Sequence, residues 1–283
     1  MISFKQFINK NVKITFVGDI MLHPRQFQIE HDKGYTFEGI FDDLKEIIAD
    51  SDFVIGNLET TFAGYNYKVP QRTAVFCAPD EYAKALKRFG FTHLVVVNNH
   101  MFDYGIEGYE RTKSIVRAAG MVPLERTTII EHNGIKINTL AFSMMFDDLR
   151  DDGDFIPGIS KQIQRDLRNF KREFTKADYN IAFAHWGGEY YSNPDSEQLS
   201  VGSQLFELGY DIVIGNGPHS YHRTDKVNNK IIAYSLGDFC SAHDKENTTN
   251  VGKILTIDLK NKEFTEVKTE TIINKNSYKV KIV

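Results

Sequence analysis

Cysteine is nearly absent from this 283-residue chain, with Cys77 and Cys240 the only two. That excludes a disulfide framework and a thiolate-built structural zinc, and it fits a reducing compartment. A basic excess is missing too. Lys plus Arg number 34 against 38 Asp plus Glu, the reverse of what a phosphate-backbone binder needs, so nucleic acid is not an expected partner. No stretch approaches the ~18 apolar residues of a spanning helix, and the opening M-I-S-F-K-Q-F-I-N-K has no apolar core like that of a signal peptide. The expectation is a soluble, cytoplasmic protein without a membrane span. Linkers, repeats and low-complexity segments are also lacking, so residues 1–283 read as a single domain, long enough to bury a large core.

What is present is a series of short apolar runs that each end abruptly in chemistry. Val12 to Val17 reads as a first strand ended by Gly18 and Asp19, with His23 four residues on. Asp52 to Gly56 reads as a second, followed by Asn57, Leu58 and Glu59. Leu94 to Gly105, L-V-V-V-N-N-H-M-F-D-Y-G, sends the β-branched run Val95 to Val97 into Asn98, Asn99 and His100, with Asp103 beyond. Tyr179 to Ala184 ends in His185, Trp186, Gly187, Gly188, Glu189 and Tyr190. Asp211 to Ile214 ends in G-N-G-P-H-S-Y-H, which holds Asn216, His219 and His222. Runs of this kind suit strands buried on both faces of a parallel sheet, and the carboxyl ends of such strands surround the crevice where ligands bind.

Between them, apolar residues at helical spacing predict helices over Phe37 to Ala49 and Lys161 to Lys176. Helices are also expected from Pro79 to Gly90, Ile106 to Ala119 and Asp195 to Leu208. Thr60 to Gln71 has loop composition, and Thr73 to Cys77 and Met121 to Leu124 read as short strands. Thr127 to Glu131 and Lys136 to Ser143 alternate around His132, Asn133 and Gly134, which signals a hairpin. K-V-N-N-K turns a second hairpin into Ile231 to Leu236, which Gly237, Asp238 and Phe239 follow. The tail from Gly252 alternates as antiparallel strands do. The Asp-rich stretch 147–154 and the basic face Lys161, Arg165, Arg168 and Arg172 read as solvated surface.

Any one of these strand ends is as easily a turn or a satisfied core histidine. Their shared placement is harder to attribute to coincidence, because in one sheet system they converge. Asp19, Glu59, Asn99, His185 and His219 offer carboxylates, an amide carbonyl and imidazoles, the donors of one or two borderline divalent metals such as Mn²⁺, Fe²⁺ or Zn²⁺. His23, Asn216 and His222 are accessory candidates. Glu59 is the candidate bridge of a two-metal site. His100, left off the metals, suits a general acid, and Asp103 suits a partner that orients it.

The segments G-D-I-M-L (18–22), G-N-L-E-T (56–60), V-N-N-H-M-F-D-Y-G (97–105), H-W-G-G-E-Y (185–190), G-P-H (217–219) and Y-S-L-G-D-F (234–239) resemble the successive motifs of the CapA family. These are the bacterial capsule and poly-γ-glutamate synthesis proteins. The resemblance runs in order over most of the chain. It implies an α/β fold similar to the calcineurin-like metallophosphoesterases, a four-layer α/β/β/α sandwich of two mixed sheets. It puts Asp19, Glu59, Asn99, His185 and His219 on metal-ligand positions and His100 on the acid position. It also implies a role with an anionic or carbohydrate cell-surface polymer or its precursor, and with polymer synthase proteins as partners. Where the family commonly has His-Pro-His, this chain has Gly217, Pro218 and His219, so Asn216 or His222 would have to replace one imidazole.

Two functions follow as expectations. One is a metal-dependent, phosphoesterase-like hydrolase acting in capsule, exopolysaccharide or poly-γ-glutamate biosynthesis. The other is a non-catalytic protein that uses the same cleft to hold a polymer or a synthase. Trp186, the only tryptophan, together with Glu189 and Tyr190, is a candidate substrate contact, although a large ring beside a strand end more often serves packing.

Overall fold

The computed structural model describes residues 11–64, 75–145, 177–243 and 250–283. The expected Lys161 to Lys176 helix, the Asp-rich stretch 147–154 and most of the Thr60 to Gln71 loop lie outside them. In the first sheet, β1 (Lys13–Ile20), β2 (Phe53–Leu58), β3 (His93–Val95) and β4 (Val122–Leu124) run parallel. On the other side of β1 the sheet continues antiparallel through β12 (Val251–Asp258), β13 (Glu263–Ile273) and β14 (Tyr278–Ile282). A short strand, β11 (Asp238–Cys240), pairs parallel with the end of β1.

The second sheet has the order β5 (Thr127–His132), β6 (Ile135–Ser143), β7 (Tyr179–His185), β8 (Ile212–Asn216), β10 (Lys230–Ala233) and β9 (Thr224–Val227). Its four inner strands are parallel, and β5 and β9 close it as antiparallel edges through the two expected hairpins. Helices α1 (Pro24–Asp32), α2 (Lys45–Ile48), α3 (Asp80–Phe89), α4 (Gly105–Ala118) and α5 (Ser196–Leu208) complete the described elements. The α5 start is set by a reciprocal cap, with Asp195 accepting from the Gln198 N–H and the Gln198 side chain accepting from the Asp195 N–H.

Alternation along the second sheet explains the layering. Ile181 and Phe183 of β7, Ile212 and Ile214 of β8, and Ile231 and Ala233 of β10 join the large core that includes the first sheet. The residues between them, Ala182, Ala184, Val213 and Ile232, join a second core with Val201 and Leu205 of α5. Phe16 of β1 meets Phe183 across the sheets, with ring centroids 6.0 Å apart. Two mixed sheets thus pack face to face, and α5 covers the outer face of the second.

Of the strand expected over Thr73 to Cys77, the described residues form only an isolated bridge between Cys77 and Thr61, and one expected helix does not form. The helix over Phe37 to Ala49 is replaced by a 3₁₀ turn at Asp42–Leu44 and the single turn of α2. Phe37 and Gly39 have φ of +52° and +74°, which a right-handed helix excludes. Partners elsewhere take the backbone groups that a helix would have used: the Phe37 N–H donates to Glu30 Oε2 and the Ile40 carbonyl accepts from Val280. Phe37, Ile40, Phe41, Leu44 and Ile48 are nonetheless buried, so the apolar spacing reports burial without helix.

Trp186 is fully buried in the second core, where its Nε1–H donates to the Tyr234 carbonyl at 2.9 Å. Truncation there leaves a large cavity and removes one of the two hydrogen bonds to the Tyr234 carbonyl, which also accepts from Gln198 Nε2 at 3.2 Å. Trp186→Ala is expected to lower the unfolding free energy by about 3–5 kcal/mol in urea titrations. A variant of unchanged midpoint would contradict this packing role.

Candidate metal centre

The close approach of two glycines creates the centre. A Cβ on Gly18 would lie 1.9 Å from the Gly237 carbonyl oxygen, so position 18 has no room for a side chain. The Asp19 N–H donates to that oxygen at 2.9 Å, and β1 and β11 pair in a register that sets Asp19 beside Asp238. A bulge between Val17 and Asp19 interrupts the pairing with β2 at the same level. Glu59 follows β2, Asn99 and His100 follow β3, and His185 and Asn216 are the last residues of β7 and β8. The ends of both sheets therefore meet at one place.

Asp19, Glu59 and Asp238 are all without solvent exposure, and the ion-pair partners described for each are imidazoles. Asp19 Oδ1 accepts from Asn57 Nδ2 and Asn216 Nδ2, both at 2.8 Å, and Asp19 Oδ2 lies 3.3 Å from His219 Nδ1. Glu59 Oε2 accepts from Asn57 Nδ2 at 3.3 Å. Its Oε1 is buried with no hydrogen-bond partner, 3.6 Å from His185 Nε2 and 3.8 Å from His219 Nε2. Asn99 Oδ1 lies 2.9 Å from the same His185 nitrogen. Asn57 is itself held by Asn98, whose Nδ2 donates to Asn57 Oδ1 at 3.2 Å and to the Leu58 carbonyl at 2.8 Å.

Charge is balanced unevenly here. Burial pushes the Asp19 carboxyl up, but the hydrogen bond and charge of His219, with His185 and Asn57, outweigh it and hold the group at about 2. Glu59 is pushed well above the ordinary glutamate value by burial and by the neighbouring Asp19 charge. Burial pulls His185 down to about 3, so its imidazole is neutral at pH 7, the form that coordinates a metal. Burial works the same way on His219, yet the charges of Glu59 and Asp238 and hydrogen bonds to Asp19 and Asp238 hold it well above its ordinary value. A bare buried carboxylate oxygen facing two imidazole nitrogens is costly unless a cation sits among them. Asp19, Glu59 and His185 offer ligand atoms within 4.8 Å of one another, so the residues present fit a divalent ion.

His100 lies beside this group. Its Nδ1 is 3.0 Å from Asp103 Oδ2, its N–H donates to Asn98 Oδ1, and its ring stands edge-on to Phe76 with centroids 4.7 Å apart. Asp103 Oδ2 also accepts from the Phe76 N–H at 2.7 Å.

The other expected site residues are more scattered. Asn216 turns its amide toward Asp19. His222 turns away, with Nε2 2.7 Å from the Tyr191 carbonyl. His23 Nε2 lies 3.0 Å from Ser241 Oγ, and its ring is 4.4 Å from that of His243. Tyr190 is half-buried with its ring 5.9 Å from His219, Glu189 is exposed, and Trp186 has no exposed surface to offer a ligand. Sequence reasoning missed Asn57, Asn98, Asp238 and His243. Asp238 had a usable signal, because Gly237-Asp238 after a strand-like run repeats Gly18-Asp19. Nothing local marked His243.

Solved structures share the fold. A novel phosphatase from Mycoplasma pneumoniae is 12% identical with a TM-score of 0.53, over 96% of this chain and 94% of that one. A hypothetical protein from Thermus thermophilus is 14% identical with a TM-score of 0.52, over 96% and 99%. Two mixed sheets with this architecture define the calcineurin-like metallophosphoesterase fold. Residues 13–243 match the family described as bacterial capsule synthesis protein PGA_cap, and the chain belongs to that family. It is 30% identical to the capsule biosynthesis protein CapA of Bacillus anthracis over 82% of this chain and 60% of that protein. It is 28% identical to the PGA biosynthesis protein CapA of Bacillus subtilis (strain 168) over 83% and 64%. The chain thus spans under two thirds of the length of these relatives. Among the described residues no helix is long and apolar enough to cross a membrane.

The buried Glu59 carboxyl has a consequence for the metal-free protein. Because its folded-state pKa is raised above the ordinary 4.5, the folded chain retains a proton that the unfolded chain releases, and stability falls as pH rises through that window. Chelator-treated Glu59→Gln is expected to melt higher than wild type at pH 7, with the difference shrinking as pH drops through about 4.5. Equal melting temperatures across the pH series would contradict the burial of an uncompensated carboxyl.

Proposed function

We propose that the chain is a divalent-metal-dependent hydrolase that cleaves a phosphoester or a related linkage during synthesis of a bacterial capsule or poly-γ-glutamate polymer. The observation that carries this reading is the orphaned Glu59 Oε1, buried against His185 and His219 beside Asp19. Asp19, Glu59, Asn99, His185 and His219 would hold the metal. A divalent ion there supplies Lewis-acid polarisation of the substrate and lowers the pKa of a bound water toward neutrality.

The remaining chemistry belongs to the chain. Asn57 holds Asp19 and Glu59 in orientation through its two amide hydrogens. Asp103 accepts from His100 Nδ1, which leaves Nε2 to deliver a proton to the leaving oxygen. Neutral His185 is ready to coordinate without first losing a proton. Gly217, where the family commonly has an imidazole, favours a second reading, a non-catalytic polymer- or synthase-binding protein on the same fold.

Purification without chelator, elemental analysis and an Mn²⁺-dependent assay on a generic aryl phosphate separate the two. No metal and no turnover under any divalent ion would overturn the hydrolase. His100→Asn is expected to reduce turnover by roughly 10²–10⁴-fold while metal content stays near wild type. Loss of metal in that variant would make His100 a ligand instead.

A further inference from the structure

A cavity of about 820 Å³ lies beside the acid pair and shares no residue with the metal set. Its size falls within the range of about 300–1,000 Å³ usual for small-ligand sites. Leu22, Phe27, Ala63, Phe76, Ala78 and Pro79 give it apolar walls. Among the described residues the charged side chains that line it are Asp80 and Arg111, and they neutralise each other. Arg111 Nη1 donates to Asp80 Oδ1 and Nη2 to Asp80 Oδ2, both at 2.8 Å, and Nη1 also donates to the Phe62 carbonyl. No net charge is left to hold an anionic group.

One short segment forms the wall between this cavity and His100. Phe76 lines the cavity, while its ring stands edge-on to His100 and its N–H holds Asp103 Oδ2. The same segment is pinned to the end of β2. The Thr61 N–H donates to the Phe76 carbonyl at 3.1 Å, and the Thr61 carbonyl accepts from the Ala78 N–H at 2.8 Å, two residues beyond Glu59. Leu22 and Tyr104, which also line the cavity, are chain neighbours of His23 and Asp103. Backbone hydrogen bonds therefore fix the cavity relative to the acid.

We infer, on the hydrolase reading above, that this cavity receives the apolar alcohol that leaves when a phosphoester is cleaved. His100 protonates the leaving oxygen, so the group bonded to that oxygen extends on the His100 side of the centre, where Phe76 and the cavity lie. Water adds to phosphorus, the bond from phosphorus to the alcohol oxygen breaks, and that oxygen departs with the electron pair and takes the His100 proton. One proton of the water stays on the phosphate and the other restores His100. A second phosphate or a carboxylate on the leaving group would enter the cavity without a counter-charge. The substrate class is thus a phosphoester of an alkyl or aryl alcohol, not of a polyanion.

Binding is read first, without metal or turnover. The chelator-treated full chain is titrated with N-phenyl-1-naphthylamine, an uncharged dye that fluoresces in apolar surroundings, with 1-octanol as competitor. Half-buried Cys77 lines the cavity and Cys240, the only other cysteine, is buried, so N-ethylmaleimide labelling of Cys77, located by mass spectrometry, reports occupancy without any substitution. The dye is expected to bind and to be displaced by 1-octanol but not by inorganic phosphate, and 1-octanol is expected to slow labelling of Cys77. Phe27→Asp, on half-buried α1 surface and folded by circular dichroism, is expected to weaken dye binding by at least about tenfold. Turnover is read second, with Mn²⁺. The kcat/KM for n-alkyl phosphates is expected to rise from methyl to n-octyl by up to about fourfold per methylene, and the rise to flatten in Phe27→Asp. If the dye binds and Cys77 is protected but no alkyl phosphate turns over, the cavity stands as an apolar-ligand site and the hydrolase reading falls. Turnover indifferent to chain length overturns the leaving-group assignment while the hydrolase reading stands, and absence of both dye binding and Cys77 protection overturns the inference whatever the turnover.

Discussion

Everything at the centre of this protein follows from three carboxylates placed where water does not reach. Asp19, Glu59 and Asp238 are fully buried, and the ion-pair partners described for them are His185, His219 and His243. His185 is no counter-ion, because burial strips its proton, whereas the carboxylates around His219 hold its value up. A chain that only needed a stable core would use apolar residues here, since replacing buried charges with hydrophobic packing is often neutral or favourable. Keeping three buried carboxylates this close together has a physical rationale when a metal ion supplies the missing positive charge.

The two sheets are built to maintain that arrangement. Ligand candidates arrive from five separate strand ends, so their relative positions depend on the packing of β1 against β8 and on the Gly18–Gly237 contact more than on any loop. Alternation along β7, β8 and β10 ties each of these strands to both cores at once. Trp186 shows the coupling. It follows His185 directly, and its ring is locked under α5 by the bond to Tyr234, so the backbone that presents the imidazole is anchored from the second core. Side chains that would stand loose in a cleft are instead held by a layer on the opposite side of the sheet.

Much of this was legible because strand ends in an α/β sheet are where polar residues stand out against β-branched runs. Asn99, His100 and His185 were visible for that reason, and the structure brings them beside Asp19 and Glu59. The failures have physical causes. Phe37 to Ala49 shows helical spacing but adopts positive φ at Phe37 and Gly39, because tertiary partners at Glu30 and Val280 compete successfully for its backbone. Trp186 beside a strand end could equally have faced the cleft or the core, and the parity of one residue along β7 decides it. Asp238 was not among the candidate ligands although it repeats the Gly18-Asp19 pattern, since only the β1 and β11 register reveals that the two lie side by side.

His243 shows the limit of reading motifs by spacing. In the family pattern an imidazole is expected two residues before His219, on the same loop. Here the backbone at Gly217 is bent into a conformation with no room for a side chain, while a histidine 24 positions after His219, in the segment beyond β11, brings its ring within 4.8 Å of that of His219. Coordination depends on where a nitrogen sits and not on which loop carries it. A ligand can therefore leave one strand end and reappear at another without altering the fold, provided the two strand ends already touch. β8 and β11 meet that condition because both abut Asp19, through Asn216 on one side and the Gly18–Gly237 contact on the other. A missing histidine in a motif is thus weak grounds for calling such a centre vacant of function; the buried, unpartnered atoms that remain around it are the stronger physical indicator.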